Sequence, residues 1–285
     1  MSRPIVQLPI LLLMAAVGCS LPAQPSSRGA GPGRMPMAPT TAAADGASPE
    51  FALVLKIRLT SIEVPVGTAS GSEEIWSYLD EERTRAVHSA SLGRNGLRVG
   101  LTNESSWPDL ARILRKMTGQ KISEQFFMAL PSRPFQIELK TGLGVQTIFS
   151  SYADRTLSGA DYPGGDDLLA LNCSLDGNDN SKLIVTALPQ IRSTQRVTDI
   201  VPESGILSFV DHAVTYNLDA ATFQLSMSNK DILVIGPGAE SRRPTSIGYH
   251  FLLHQRQNMP FETVLVLAIE VIKAPLKSTP VNAQF

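Results

Sequence analysis

The chain has 285 residues, with 25 Lys plus Arg against 26 Asp plus Glu, 43% hydrophobic residues and two cysteines. A formal charge of −1 offers no basic surface for nucleic acid, 18% charged residues is too few for a wholly disordered chain, and two cysteines cannot build a disulfide scaffold. The 20 prolines and 21 glycines fit a globular body joined to irregular chain, without a collagen period.

Arg3 supplies a short positive region, and Ile5 to Val17 follows as an apolar run broken only by Gln7 and Pro9. That run is shorter than the roughly 20 helical residues a hydrocarbon core requires, so residues 1–18 read as a signal peptide. Its end, Ala15-Ala16-Val17-Gly18-Cys19, resembles the lipobox of bacterial lipoproteins. The resemblance implies cleavage before Cys19, which becomes the lipidation site: a diacylglycerol on the thiol, usually with a third acyl chain on the amine. Two or three such chains, at about 0.8 kcal/mol per buried methylene, hold a protein almost permanently. Ser20, where an Asp is the familiar inner-membrane signal, implies the outer membrane, facing the periplasm or the cell surface. Acylation of Cys19 also leaves Cys173 without a disulfide partner.

Between Ser20 and Glu50, Pro22, Pro25, Pro32, Pro36, Pro39 and Pro49 alternate with Gly29, Gly31, Gly33 and Gly46 among Ala, Ser and Thr. So little apolar surface cannot offset the entropy of ordering; residues 19–50 read as a lipidated Cys and a disordered tether with a typical span of about 30 Å. The glycine density near Gly31 has no strand before it and no helix after it, so it is not read as a phosphate loop.

The body, residues 51–275, opens with a period of two. Phe51, Leu53, Leu55, Ile57 and Leu59 share one face and Lys56, Arg58 and Thr60 the other, which predicts a half-buried strand. At Ile62 and Val64 the apolar parity switches, predicting a bulge or bend. Ser70, Ser72, Glu73 and Glu74 suit the start of a short helix holding Ile75, Trp76 and Leu79. Asn95-Gly96 is a strong two-residue turn from which Leu97, Val99 and Leu101 leave as a strand. Ser106, Pro108 and Asp109 then open a second helix with Leu110, Ile113, Leu114 and Met117 on one face and Gly119 at its end.

Beyond Gly119 the patterns are β. Strands are predicted at Phe135–Lys140, Val145–Tyr152, Leu168–Leu175 and Leu183–Ile191, the last two joined across Asp176–Asn180, then at Phe223–Met227, Asp231–Gly236 and Ile247–His254. Phe261 to Lys273 is apolar on nearly both faces and should lie centrally. The expected fold is α+β and β-rich: an α+β segment (51–120) with two small helices, packed on an antiparallel β-sandwich or curved sheet (121–275), with residues 276–285 as a tail.

Candidate chemistry is sparse. None of His88, His212, His250 and His254 sits in a metal-protease signature. His250 and His254 have i, i+4 spacing, but on the expected strand they stand about 13 Å apart. Asp211-His212 would point to opposite faces of a strand and reads as a surface turn. Cys173, in an apolar run, reads as a buried hydrophobe with a raised pKa. Gly67-Thr68-Ala69-Ser70-Gly71 and Glu203-Ser204-Gly205 lack the strand-to-helix setting of a serine nucleophile. Asp176 to Ser181 starts like a calcium loop but lacks the sixth-position glycine, and Ala187 stands where the bidentate Glu belongs, so it reads as a hairpin turn. Asp161, Asp166 and Asp167 around Tyr162–Gly165 are a candidate cation site or a solvated loop. Trp76 and Trp107 read as sheet-packing residues. No catalytic constellation, metal or cofactor is expected.

Lys182–Ile191, Phe223–Gly238 with its Val-Ile-Gly-Pro-Gly, and Phe261–Ile272 together resemble the carboxy-terminal core of bacterial secretins, with Phe51–Val64 as a candidate first strand. Neither the Pro-and-Gly signature before the last strands nor an alternating hairpin long enough to cross a membrane is evident in the sequence. The sequence therefore points to an envelope lipoprotein with a protein-interaction or structural role. Its expected partners are membrane lipid through acylated Cys19 and other envelope proteins, with self-association left open. The alternative is a tethered ligand-binding, metal-binding or hydrolytic domain using Asp161, Asp166, Asp167 or His212.

Overall fold

The opening period-two run forms β1 (Phe51–Pro65). It pairs antiparallel with the closing strand β13 (Met259–Pro275) without interruption, from Phe51 opposite Pro275 to Pro65 opposite Phe261. The bulge expected near Ile62 is therefore absent. Parity switches because the covering layer changes: Leu55, Ile57 and Leu59 face a second sheet, whereas Ile62 and Val64, on the opposite face, meet helices.

A computed structural model describes residues 51–275 apart from 85, 119, 120, 178, 180, 204 and 205. The signal peptide, Cys19, the tether and the predicted tail lie outside the described residues, all of which belong to one compact unit. Its larger sheet runs β2 (Leu97–Asn103), β11 (Asp231–Pro237), β13, β1, β3 (Lys121–Ala129), with β12 (Leu253–Arg256) paired to the start of β13. The smaller runs β10 (Phe223–Ser228), β8 (Lys182–Glu203), β7 (Gly165–Leu175), β4 (Phe135–Leu143), and β9 (Ile206–Asn217) pairs with the far part of β8. β5 (Gln146–Ser151) and β6 (Leu157–Tyr162) form a separate hairpin. Every pairing is antiparallel.

The two sheets share one core: Leu55, Ile57 and Leu59 of β1 and Leu265, Leu267 and Ile269 of β13 join Leu169, Leu171 and Cys173 of β7 and Val185 and Ala187 of β8. On the outer face of the larger sheet, Ile62, Val64, Val264 and Val266 are covered by Ile75 and Trp76 of α1 (Glu73–Trp76) and Leu110 and Leu114 of α3 (Trp107–Thr118). β13, between β11 and β1, is buried on both faces, as its apolar run predicts. Each fully buried Leu or Ile here contributes about 1.5–3 kcal/mol. Trp76 packs as expected, its indole N–H donating to Ala69 O at 3.0 Å with the Arg98 guanidinium 4.5 Å above the ring. Trp107 is half-buried against the same cluster.

Both predicted helices form, although α1, with the Ser72 hydroxyl accepting from Ile75 N–H, ends at Trp76 and leaves Leu79 in the turn beyond it; two further helices have no counterpart in the sequence patterns. α2 (Ala86–Arg94) precedes Asn95-Gly96, so that pair is the exit from a helix, Gly96 taking φ +79°, and not a hairpin turn. The strand predicted at Ile247–His254 is instead α4 (Ile247–Leu252), capped by the Ser246 hydroxyl accepting from Tyr249 N–H, followed by β12. An apolar run so short carries too few turns to tell period two from 3.6, and Ser246 as a cap was the decisive sign. β3, β6 and β9 have no counterpart in the predicted strands, and β8 runs twelve residues past Ile191. The 51–120 segment is not a separate layer, because β1 and β2 lie in one sheet with β11 and β13. Among the described residues no helix is long and apolar enough to cross a membrane.

Candidate functional site

The aspartates singled out in the sequence are dispersed by the fold. Asp161 is not in a loop but on β6, where it accepts from the Thr147 hydroxyl at 2.6 Å. Asp166 and Asp167 open β7 and so point to opposite faces. Asp166 is exposed to solvent on one side and clasped by Arg192 at 2.8 Å, with the Gly142 N–H at 2.9 Å; the Arg192 hydrogen bond, first, holds its carboxyl below the usual range. Arg192 also bonds Glu138 at 2.5 Å. Asp211 and His212 lie within β9, correcting the surface-turn reading; Asp211 bonds the Thr198 hydroxyl, and His212 Nε2 is 3.6 Å from Asp199. Cys173 is 1% exposed on β7, and burial pushes its thiol up to about 12, as its apolar flanks predict. The Asp176–Ser181 segment links β7 to β8, with Lys182 N–H bonded to Asp179 O. Among the described residues, no group of three His, Cys, Asp or Glu side chains could hold a metal.

One of those aspartates does enter a cluster. Asp167 is fully buried at the inner face of the smaller sheet, directly across from Lys140 of β4. Gln146 of β5 donates to its Oδ1 at 2.8 Å, while Asp167 Oδ2 and Gln146 Oε1 have no partner among the described residues. Lys140 reaches the end of α4, its ammonium donating to the carbonyls of Tyr249, His250 and Leu253. These are groups that a helix C-terminus leaves unpaired, and a cation there also meets the negative end of the helix dipole. Burial pushes Lys140 down to about 8, against the opposing charge of Asp167. His250 and His254 follow, both lowered chiefly by burial. Helix and strand separate them: His250 Nε2 lies 3.2 Å from Thr147 O, and His254 stacks on Phe261 with Nε2 3.6 Å from Glu63. Burial opposes ionisation of Glu63, but Lys121, His254 and Arg256 outweigh it and hold the carboxyl low.

Cavities of about 480 and 320 Å³ meet at Lys140 and His254. With its three hydrogens directed to backbone carbonyls, Lys140 is a tie between α4 and β4 and not a nucleophile. The register breaks in β4 on both sides of Lys140 let it turn inward, a signal invisible in the even alternation of the sequence.

Burial lifts Asp167 from the ordinary 3.8 to about 6. The folded chain therefore holds more protons than the unfolded chain between those values, and this residue lowers stability as pH rises across that window. Asp167→Asn should remove the effect, so its stability relative to the parent should climb between pH 4 and 6 by up to about 3 kcal/mol. Denaturant unfolding at a series of pH values measures this, and a pH-independent difference would contradict it.

The other feature is an arm. β7 stops pairing with β8 at Ser193, and beyond it, among the described residues, β8 continues with only β9 beside it. Arg196–Glu203 extends about 26 Å at 3.3 Å per residue, and every described residue from Thr194 to Pro202 is exposed. Ile200 faces Phe209 and Pro202 faces Leu207 on one side, with Val197, Val201 and Val210 on the other. Phe209 is 72% exposed and Leu207 66%. A long hairpin with apolar side chains is thus present where the sequence patterns predict none.

Comparison with protein-family models and with curated proteins finds no match.

Proposed function

We propose that the chain is an envelope lipoprotein held to the membrane through acylated Cys19, whose β-rich body has a non-enzymatic, protein-binding role as an accessory or degenerate secretin-like component of a secretion or surface assembly. The β8–β9 arm carries this reading. A lone two-stranded hairpin is marginally stable in water, its two outer edges offer unpaired backbone groups, and apolar side chains on both faces favour burial against another surface. The lipobox-like Ala16-Val17-Gly18-Cys19 supports the anchor. The secretin-like element draws support from strand placement: Lys182–Ile191 opens β8, Phe223–Gly238 spans β10 and β11, Phe261–Ile272 lies in β13, and β1 follows β13 along its whole length. No comparable observation favours a hydrolytic or metal-binding role, because Asp161, Asp166, Asp167 and His212 occupy different places in the fold.

Full chain purified from membranes should show a mature amino terminus at an acylated Cys19. It should capture a secretion or surface component from envelope extract, and Leu207→Asp/Phe209→Asp should lower that capture at least about tenfold, since buried apolar anchors of this kind commonly supply 2 kcal/mol or more, with unchanged unfolding. An unmodified Cys19 thiol, or equal capture by the variant, would sink the proposal.

A further inference from the structure

We propose that the polar cavity between α1 and β2 binds a neutral saccharide. The cavity, about 320 Å³, is lined by Tyr78, Asp80, Arg83, Thr102, Asn103, Ser106 and Asp231, a volume within the range of small-molecule sites. It lies far along the chain from Cys19 and makes no use of the β8–β9 arm, so it stands apart from the function proposed above.

Its walls are held firmly. The segment after α1 is tied to β2 by two backbone bonds, Asp80 N–H to Leu101 O at 2.8 Å and Leu101 N–H to Asp80 O at 3.1 Å. Arg83 Nε donates to Asp80 at 3.1 Å, and its Nη1 lies 3.6 Å from Asp231. Asp231 Oδ2 also accepts from Ser228 N–H at 2.8 Å. Asn103 Oδ1 accepts from Ser105 and Ser106, which aligns the side chain and leaves the two hydrogens of its amide nitrogen uncommitted.

What remains unused defines the ligand. Amide hydrogens on Asn103 donate, the second oxygen of Asp231 accepts, and the hydroxyls of Ser106 and Tyr78 do either. A mixed set of this kind matches vicinal hydroxyls, each of which donates and accepts at once. Tyr78, 39% exposed at the rim, offers a ring face to the C–H side of a pyranose. Two aspartates against one arginine leave the lining negative, which disfavours phosphate or carboxylate ligands.

The test is saturation-transfer NMR on the detergent-solubilised full chain with maltose and N,N′-diacetylchitobiose, and with glucose 6-phosphate as the anionic counterpart. Ring-proton signals are expected from at least one disaccharide and not from the phosphate. Tyr78→Ala and Asp231→Asn should each weaken binding about tenfold, the loss expected of one stacking or charged hydrogen-bond contact, with the unfolding transition preserved. Silence from both disaccharides, equal signals from folded variants, or preference for the phosphate would overturn the proposal.

Discussion

Asn95→Ala should destabilise the protein by about 3–5 kcal/mol, because one buried amide serves three elements. Asn95 is 0% exposed. Its Nδ2 donates to Ser91 O at 2.9 Å and Ser151 O at 2.8 Å and shares Ala220 O at 3.1 Å, while its Oδ1 accepts from Ser151 N–H at 2.8 Å. The end of α2, the end of β5 and the turn at Asp219–Ala221 are joined there. The Ser91 hydroxyl also reaches Ser151 O and Ala220 O, so those two carbonyls keep a partner in the variant. Ser151 N–H does not. A buried donor left bare costs about 1–3 kcal/mol, and each lost bond about 1 kcal/mol more, giving the sum above. For a body of this size that is a fall of roughly 10 °C in Tm. Asn95→Asp should do no better, since it keeps the acceptor but sets a carboxylate against carbonyls. Thermal unfolding of both variants decides; a loss below about 1 kcal/mol would mean that water replaces the amide.

Gly248→Ala sets two principles against each other. Gly248 lies within α4, where Ala is favoured over Gly by about 1 kcal/mol. A Cβ there, however, would stand 2.0 Å from Gly96 O and 2.6 Å from Gly96 C, and Gly248 N–H is already bonded to Asn95 O at 2.8 Å. Relief requires α4 to move more than 1 Å off the loop on which it rests, with the loss of that bond and of the packing of Ile247 and Phe251 in the core. Overpacking on this scale costs about 3 kcal/mol or more, so packing wins and the variant should be the less stable. Gly93→Ala in α2, with nothing within 4 Å of the added carbon, should instead leave stability unchanged or raise it by up to about 1 kcal/mol. If both alanines stabilised alike, the close seating of α4 on Gly96 would be wrong.

The unequal success of the sequence patterns follows from what a pattern records. Strict alternation in the first part of β1, up to Thr60, and in β10, and the one-sided face of α3, each report burial against a single neighbouring layer, and these elements form where predicted. β13 was legible for the converse reason, being apolar on both faces because both are covered. β3 and β9 have no inside for most of their length: Phe126, Met128, Leu207 and Phe209 stand out in solvent, so their residues follow no rule of parity. α4 hid in an apolar run too short to show a helical period.

The candidate sites divide in the same way. Local context sufficed for Cys173, whose flanks foretell its burial, and for the hairpin turn at Asp176–Ser181. It failed for Asp167, which is adjacent to Asp166 yet buried beside Lys140 and Gln146, because register places one neighbour inward and the other outward. The polar cavity draws on Tyr78, Asn103 and Asp231, scattered over more than 150 positions and united by the Asp80–Leu101 bridge and the pairing of β2 with β11.

By itself, then, the chain of residues determined a β-rich class, a long central strand and the amphipathic helix beside it, because short-range periodicity encodes which side meets an apolar layer. Tertiary structure alone decided which strands are neighbours, where β8 outruns its sheet, and which polar groups are enclosed together, since those depend on contacts between residues far apart in sequence and no local pattern carries them.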